Sequence, residues 1–225
     1  MKPAKLKSME LVFGGSFDPI HLGHFNVIEN LTKRFPDLPI RIIPCSIPAL
    51  KSRTSASFEQ RVEMINLSLK PFAQIRFDAE INIDQRENLR EGKSYTVDTL
   101  ESLSKEFPER RFVLVVGADT LKSMNQWHRW KKLSELCHLL VVNRPNYKID
   151  NLKELAKSLG FSAVKGVDEL MVNDNGCYSC LNIEEVDTSS TEIRKNFTNG
   201  LSNDKFISND VINYINNNLI YKQEL

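Results

Sequence analysis

The sequence predicts an α/β fold of the Rossmann-like, doubly wound type, in which a mostly parallel sheet carries helices on both faces. Short apolar runs alternate along the 225 residues with amphipathic stretches, which is typical of βαβ units. The run 112–116 is apolar throughout, as expected of a central strand that is buried on both faces. No linker, repeat or low-complexity tract divides these units, so we expect a single domain.

The first strand is predicted from Glu10 to Phe13, where Gly14 and Gly15 end it, and a helix follows from about Leu22. Ser57 and Gln60 have the spacing of a capping box and mark the start of a second helix. Further strands are predicted at 40–43, 75–77, 112–116 and 138–142 and near residues 164 and 181, and further helices at 97–107 and 151–159, from about 190 and around 211–219.

The N-terminal residues, the net charge and the cysteines indicate where the protein is located and what it can bind. Residues 1–8 are expected to be an N-terminal extension, with Met1 or Met9 as the true start. A net charge of +1 argues against a nucleic-acid partner, and no apolar run reaches the length of a membrane span. We therefore expect a cytoplasmic protein. The four cysteines, of which Cys177 and Cys180 form the one close pair, lack a second pair or a nearby histidine, so we expect reduced structural thiols and no protein-held metal.

The loop after the first strand carries the clearest chemical signal, Gly-Gly-Ser-Phe-Asp-Pro-Ile-His-Leu-Gly-His at positions 14–24. Glycines allow the backbone to approach a ligand closely, and the free amides of a helix start favour a phosphate. His21 and His24 could instead hold a metal, but one pair cannot make a site. The loop therefore predicts an anion site at the carboxyl end of the first strand.

Two blocks together resemble the signatures of the nucleotidyltransferase superfamily. Positions 15–24 match Gly-x-Phe-Asp-Pro-Ile-His-x-Gly-His, and positions 189–194 match Ser-Ser-Thr-x-Ile-Arg. The second block also has the form of a capping box, from Ser189 to Glu192, and a capped helix start is itself favourable for an anion.

Three further blocks resemble the bacterial nicotinate mononucleotide adenylyltransferases. They are Ser-Tyr-Thr-Val-Asp-Thr-Leu at 94–100, Gly-Ala-Asp-Thr-Leu at 117–121 with Trp127 downstream, and Arg-Pro at 144–145. The resemblance implies an enzyme of NAD biosynthesis that joins ATP and nicotinate mononucleotide, with Mg²⁺, to give deamido-NAD and pyrophosphate. It also implies that residues 9–225 form the nucleotidyltransferase domain.

The resemblance implies a set of site residues in three groups. The catalytic residues are His21, His24 and Arg194, the ATP-binding residues are these three with Gly14, Gly15, Ser16, Phe17, Gly23, Ser190 and Thr191, and the substrate-binding residues are Tyr95, Thr96, Asp119, Trp127 and Lys51.

One position departs from the family pattern. Leu50 stands where the family usually carries the histidine of Pro-Pro-His, before the basic residue Lys51. This departure motivates one alternative, a nucleotide-binding protein of the same fold without turnover. The other alternative is a related transferase of the same superfamily that uses another phosphate acceptor, such as nicotinamide mononucleotide or phosphopantetheine.

Overall fold

Seven parallel strands form one sheet in the computed structural model, which describes residues 9–50, 53–74, 80–143, 152–170, 172–184 and 186–222. The strands are β1 Met9–Gly15, β2 Ile40–Pro44, β3 Ile81–Ile83, β4 Arg111–Gly117, β5 Cys137–Asn143, β6 Ser162–Ala163 and β7 Cys177–Asn182. Their order across the sheet is β3-β2-β1-β4-β5-β7-β6, and every pairing is parallel.

The helices in the described ranges are α1 Leu22–Arg34, α2 Phe58–Gln74, α3 Thr96–Glu106, α4 Ala118–Leu121, α5 Leu133–Leu136, α6 Leu152–Ser158, α7 Val167–Leu170, α8 Ser190–Thr198 and α9 Asn209–Asn217. Short 3₁₀ turns lie at Arg86–Leu89, Met124–Gln126 and Trp130–Lys132. None of these helices is long and apolar enough to span a membrane.

Apolar side chains that point alternately to the two faces of the central strands form a hydrophobic core on each face of the sheet. On β4, Val113 and Val115 pack into the cluster formed with α1, α2, α8 and α9, whereas Phe112, Leu114 and Val116 pack against α3, α5 and α6. Successive side chains of a strand point to opposite faces, so an all-apolar strand needs helices on both sides. The predicted Rossmann-like, doubly wound fold class is confirmed.

The predicted end of the first strand differs from the structure, and one predicted strand is not tested. Gly14 and Gly15 do not end β1, because they continue its pairing with Ile43 and Pro44 of β2. The strand predicted at 75–77 lies outside the described residues, and the strand that pairs with β2 is Ile81–Ile83. That edge strand is short and half-buried, so it lacks the apolar run by which the other strands were predicted.

The strand order reverses at β1, which lies between β2 and β4. Connections from neighbouring strands leave toward opposite faces at such a point and open a crevice at the carboxyl ends of the strands. The loops after β1 and β4 therefore form the expected place for a ligand.

Ion pairs tie the first three strands together through residues near the start of β1 and of β2 and directly after β3. Glu10 is fully buried and accepts from Arg41 Nε and Arg110 Nη1, both at 2.9 Å. Arg41 also reaches Asp84 at 2.6 Å, and Arg86 reaches the same carboxylate at 2.7 Å. Each buried carboxylate thus faces two guanidinium groups, as burial of a charge requires.

We predict that Asp84→Asn lowers the free energy of unfolding at pH 7 by about 1–3 kcal/mol, because it removes charge-assisted hydrogen bonds. Burial alone would raise the pKa of Asp84. Hydrogen bonds from the backbone and side chain of Arg86 and from the side chain of Arg41 have the larger combined effect and lower that pKa. A carboxylate whose pKa is lower in the folded than in the unfolded protein stabilises the folded state at pH values above its unfolded pKa of about 3.9. This stabilisation is lost as the pH falls through the pKa of the folded state.

Urea denaturation from pH 7 to pH 2 measures the effect. The parent should lose the Asp84 contribution below about pH 4, and the curve of the variant should be flatter there. Asp174→Asn is the matched control, because the side chain of Asp174 is fully exposed beside Arg111. Identical pH profiles for the parent and Asp84→Asn would contradict the prediction.

Candidate active site

The loop between β1 and α1 lies at the point where the strand order reverses. Phe17 takes a left-handed conformation (φ 49°), and its buried ring packs edge-on against Phe13 at 5.6 Å and His24 at 5.0 Å between centroids. A Cβ on Gly15 would lie 2.9 Å from that ring, so only glycine fits there. Phe17 therefore anchors the loop from within the core, while Gly14 is exposed and Ser16 half-exposed.

His21 and His24 cap α1 reciprocally. The Gly23 amide donates to His21 Nδ1 at 3.1 Å, and the His21 amide donates to His24 Nδ1 at 3.3 Å. Each Nδ1 must then carry a lone pair, which places the proton of each neutral ring on Nε2. The two rings lie 3.8 Å apart between centroids. The cap thus fixes the tautomer and the orientation of two adjacent imidazole groups at the helix start.

Gly23 makes the close approach of these rings possible. A Cβ at this position would lie 3.0 Å from two atoms of the His21 ring and 3.3 Å from Thr188 Cγ2. A side chain here would require the His21 ring and Thr188 to shift by a few tenths of an ångström, so packing favours glycine at this position of His-x-Gly-His.

The carboxylate of Asp18 is buried and connects the loop between β1 and α1 to other parts of the chain by hydrogen bonds. It accepts from the amides of Ser55 and Ala56 at 2.8 and 3.0 Å and from the Tyr221 hydroxyl at 2.8 Å. Arg194 Nη1 lies 3.7 Å from the same carboxylate. Three segments far apart in the chain therefore meet at one side chain.

The second signature block contacts the first directly. Ser189 caps α8 by accepting from the Glu192 amide, which is one of the two hydrogen bonds of the predicted capping box. Ser190 Oγ donates to the Pro19 carbonyl at 2.9 Å, and Arg194 Nη1 donates to the Asp18 carbonyl at 2.7 Å. Thr191 is exposed and lies 3.4 Å from Arg194 Nη2. The structure thus brings the two blocks together by binding α8 to the backbone of the first loop.

The block at 94–100 begins beside the loop after β2. The Ser94 amide donates to the Ile47 carbonyl at 2.8 Å, and Ser94 Oγ accepts from the Ser46 amide at 3.0 Å. Tyr95 precedes α3, which starts at Thr96, and its ring lies 4.3 Å from the ring of His128. Tyr95 therefore lies next to the residue that follows Trp127.

Two of the remaining predicted substrate residues follow β4. Asp119 is exposed at the start of α4, with Oδ1 turned back over Gly117. Trp127 is half-buried against the core cluster that contains α3. Lys51 and the Arg-Pro pair at 144–145 lie outside the described residues. Leu50 is 56% exposed in the loop after β2.

A cleft of about 340 Å³ opens between the loop after β2 and the start of α2. Arg53, which is exposed, lines it together with Ser55 and Ser57. The Ser55 amide is one of the donors to Asp18, so the wall of this cleft and the first loop are directly connected. A cationic side chain and hydroxyl groups make the cleft suitable for an anion.

Arg61 is a part of the site that the sequence analysis did not identify. It is 1% exposed on α2, and its Nη1 donates to the carbonyls of Ser16 and Cys45, both at 2.7 Å. Burial lowers the pKa of its guanidinium. The signal in the sequence is its position: Arg61 falls between Phe58 and Ile65 on the apolar face of the predicted helix.

Among the described residues, no group of three or more histidine, cysteine, aspartate or glutamate side chains is arranged to hold a metal ion. All four cysteines are free thiols, and burial raises the pKa of Cys137 to about 12. A thiol that titrates so high is an inert packing group.

Comparisons with known proteins agree on one family. The cytidylyltransferase-like family model matches residues 12–196. A Yersinia enterocolitica protein named "Probable nicotinate-nucleotide adenylyltransferase" is 34% identical over 96% of both chains. A Shewanella frigidimarina protein of the same name is 31% identical over 94% of this chain and 98% of its own length.

Solved structures show the same fold. The nicotinic acid mononucleotide adenylyltransferase of Plasmodium falciparum, in complex with NaAD, superposes with a TM-score of 0.71 at 22% identity and covers 95% of this chain and 97% of its own. A second structure of that protein, in complex with APC, gives a TM-score of 0.68.

We predict that Tyr221→Phe lowers the free energy of unfolding by about 1–2 kcal/mol, because the buried Asp18 carboxylate loses a donor. Burial and the neighbouring Asp18 carboxylate raise the pKa of Tyr221, so its hydroxyl stays protonated and can donate. Chemical denaturation measures the change. Tyr214→Phe, on a half-buried tyrosine of α9, is the control and should have a smaller effect. Equal effects of the two substitutions would contradict the prediction.

Proposed function

Because this chain belongs to the cytidylyltransferase-like family and, within it, to the nicotinate-nucleotide adenylyltransferases, we propose that it joins ATP and nicotinate mononucleotide to give deamido-NAD and pyrophosphate in NAD biosynthesis. The reciprocal cap of His21 and His24 is the feature that most directly supports this reaction. It presents two oriented imidazole groups at a helix start, beside the carboxyl end of β1, where a phosphate is favoured.

In the proposed reaction, a phosphate oxygen of nicotinate mononucleotide attacks the α-phosphorus of ATP, and the bond between the α-phosphorus and the leaving pyrophosphate breaks. A phosphate monoester is itself a competent nucleophile, so the site needs no nucleophilic side chain. The work left to the protein is to orient two anions and to stabilise the charge that grows on the leaving group.

We assign this stabilisation to neutral imidazole groups. The capping bonds occupy Nδ1 of both rings, so His21 and His24 would donate from Nε2 to phosphate oxygens, with His24 near the α-phosphate. A doubly protonated ring would lose its capping bond, because Nδ1 could no longer accept. Preoriented donors of this kind need no rearrangement during the reaction.

Arg194 and Thr191, at the positive end of α8, would hold the outer phosphates. Arg194 and Ser190 also donate to the carbonyls of Asp18 and Pro19. These two residues would therefore act in part by fixing the first loop relative to α8, so that the phosphates bound by the two signature blocks keep one geometry.

The acceptor would lie between the block at 94–100 and the segment after β4. Trp127 would stack on the nicotinate ring, Asp119 would orient a ribose hydroxyl, and backbone amides near Tyr95 and Thr96 and after Trp127 would receive the carboxylate. The contact between Tyr95 and His128 supports this assignment, because it joins the two segments. Amide donors aimed at the ring substituent distinguish a carboxylate from a carboxamide.

Mg²⁺ is proposed to enter with ATP, held by phosphate oxygens and water. Lys51, in the loop after β2, is proposed to contribute positive charge. The small, hard Mg²⁺ ion commonly keeps several waters and binds through substrate phosphates. In that position the ion would neutralise part of the charge of the leaving pyrophosphate.

Pyrophosphate release by the purified protein tests the proposal. ATP and Mg²⁺ are supplied with nicotinate mononucleotide, nicotinamide mononucleotide or phosphopantetheine. Release with the first acceptor, at least tenfold faster than with the others, is the expected result. Release only with another acceptor would overturn the substrate assignment, and ATP binding without release in any mixture would favour a binding protein of this fold.

We predict that His24→Asn lowers kcat by about 10²–10³-fold while the KM for ATP changes less than about fivefold, because it removes a donor used in the transition state. The asparagine Oδ1 can replace Nδ1 in the cap, so α1 should stay intact. His24→Gln is the matched variant: its amide can replace the Nε2 donor, so it should retain more turnover. Steady-state kinetics with circular dichroism measures both, and parental turnover in His24→Asn would remove this residue from the catalytic role.

A further inference from the structure

Arg61 is a buried cation whose hydrogen-bond partners in the described structure are all backbone carbonyl oxygens. Nη1 donates to Ser16 and Cys45, and Nη2 lies 3.4 Å from the Ser46 carbonyl. Nε is buried without a partner within the described residues. Burying a guanidinium that forms no ion pair with a carboxylate among the described residues is costly, so the residue is expected where its geometry serves the site.

The three carbonyls belong to two different loops. Ser16 begins the loop that carries His21 and His24, whereas Cys45 and Ser46 follow β2. The Cys45 amide donates to the Gly15 carbonyl at 2.8 Å, so the two loops already meet through the sheet at this point. Arg61 joins them a second time, from α2, just beyond the last ladder bonds of β1 and β2.

The same network continues to the proposed acceptor segment. Ser46, which lies next to Arg61, donates its amide to Ser94 Oγ, and Ser94 returns its own amide to Ile47. Ser94 directly precedes Tyr95 and Thr96. A short path of hydrogen bonds therefore runs from the histidine loop through Arg61 and the loop after β2 to the segment proposed to hold the nicotinate.

We infer that Arg61 is a positioning residue that fixes the histidine loop relative to the acceptor segment, and so sets the alignment of the two substrates. The inference rests on the proposed function. The charged fork suits this task, because it forms strong bonds with several carbonyls at once and holds its shape. An error of about 1 Å in the alignment of two reactants costs on the order of 10²-fold in rate.

Arg61→Met tests the inference, with kinetics measured at least 15 °C below the melting temperature of each variant. Loss of alignment should lower kcat by about 10²-fold and leave both KM values within about fivefold. Arg61→Lys should recover part of the rate. In the parent, the single atom Nη1 of Arg61 donates to both the Ser16 and Cys45 carbonyls, and the ammonium group of a lysine can approach the same position.

Arg41→Met is the matched control. Arg41 is also largely buried, but its partners are the carboxylates of Glu10 and Asp84, and neither belongs to the proposed site. This substitution should lower the melting temperature and leave kcat within about threefold of the parent. A kcat within threefold of the parent in folded Arg61→Met would overturn the inference. A decrease in kcat that disappears when the variant is cooled further below its melting temperature would also overturn it.

Hydrogen exchange of the substrate-free protein separates this inference from the proposed function. Arg61→Met should speed exchange of the Cys45, Ser46 and Ser94 amides at least tenfold, and Arg41→Met should not. The readout needs no acceptor, so it holds even where the parent releases no pyrophosphate. Unchanged exchange at these amides would overturn the inference.

Ser94→Ala is the second variant, to be used where Arg61→Met does not fold. It removes the next link of the path, and kcat should fall by about tenfold with nearly parental KM values. Parental kcat in folded Ser94→Ala would contradict a path of alignment through Arg61.

Discussion

The arrangement of the candidate site depends on the buried carboxylate of Asp18. The loop between β1 and α1 leaves regular secondary structure, so its backbone must find partners elsewhere. Asp18 supplies an anchor below the loop by accepting two amides before α2 and the hydroxyl of Tyr221. Because those donors come from the start of α2 and the C-terminal segment, the histidine loop keeps its shape only when distant parts of the chain are folded around it.

A buried cation complements this buried anion. Asp18 satisfies backbone donors around the loop, whereas Arg61 satisfies backbone acceptors, and each binds groups that no strand or helix could pair. Arg194 adds a third charged contact by donating to the Asp18 carbonyl from α8. Charge-assisted bonds to the backbone are stronger than neutral ones, so three charged side chains can hold an irregular loop in one conformation. Rigid support of this kind is what a phosphate-orienting site requires.

The sequence predicts the parts of this structure that depend on local pattern. The apolar run of β4 and the capping box of Ser57 and Gln60 follow from spacing alone, and the motif from Gly15 to His24 indicates where the candidate site lies. Long-range contacts leave little local trace. Tyr221 resembles any tyrosine of a polar terminus, although it bonds Asp18 across 203 positions of the chain. Arg61 is visible only as a charge on an apolar helix face, and the short strand β3 has no apolar run to predict it.

The backbone contacts of the loop after β2 explain how Leu50 is compatible with the proposed site. The loop after β2 is held through main-chain groups: the carbonyls of Cys45 and Ser46 bind Arg61, and Pro48 pairs with Ser94. None of these bonds uses the side chain at position 50, which is 56% exposed beyond them. A loop whose position is fixed by its backbone can lose one polar side chain and still present the nearby Arg53. Substitution of the family histidine by Leu50 should therefore alter the contacts of this loop with the phosphates more than the alignment of the two substrates.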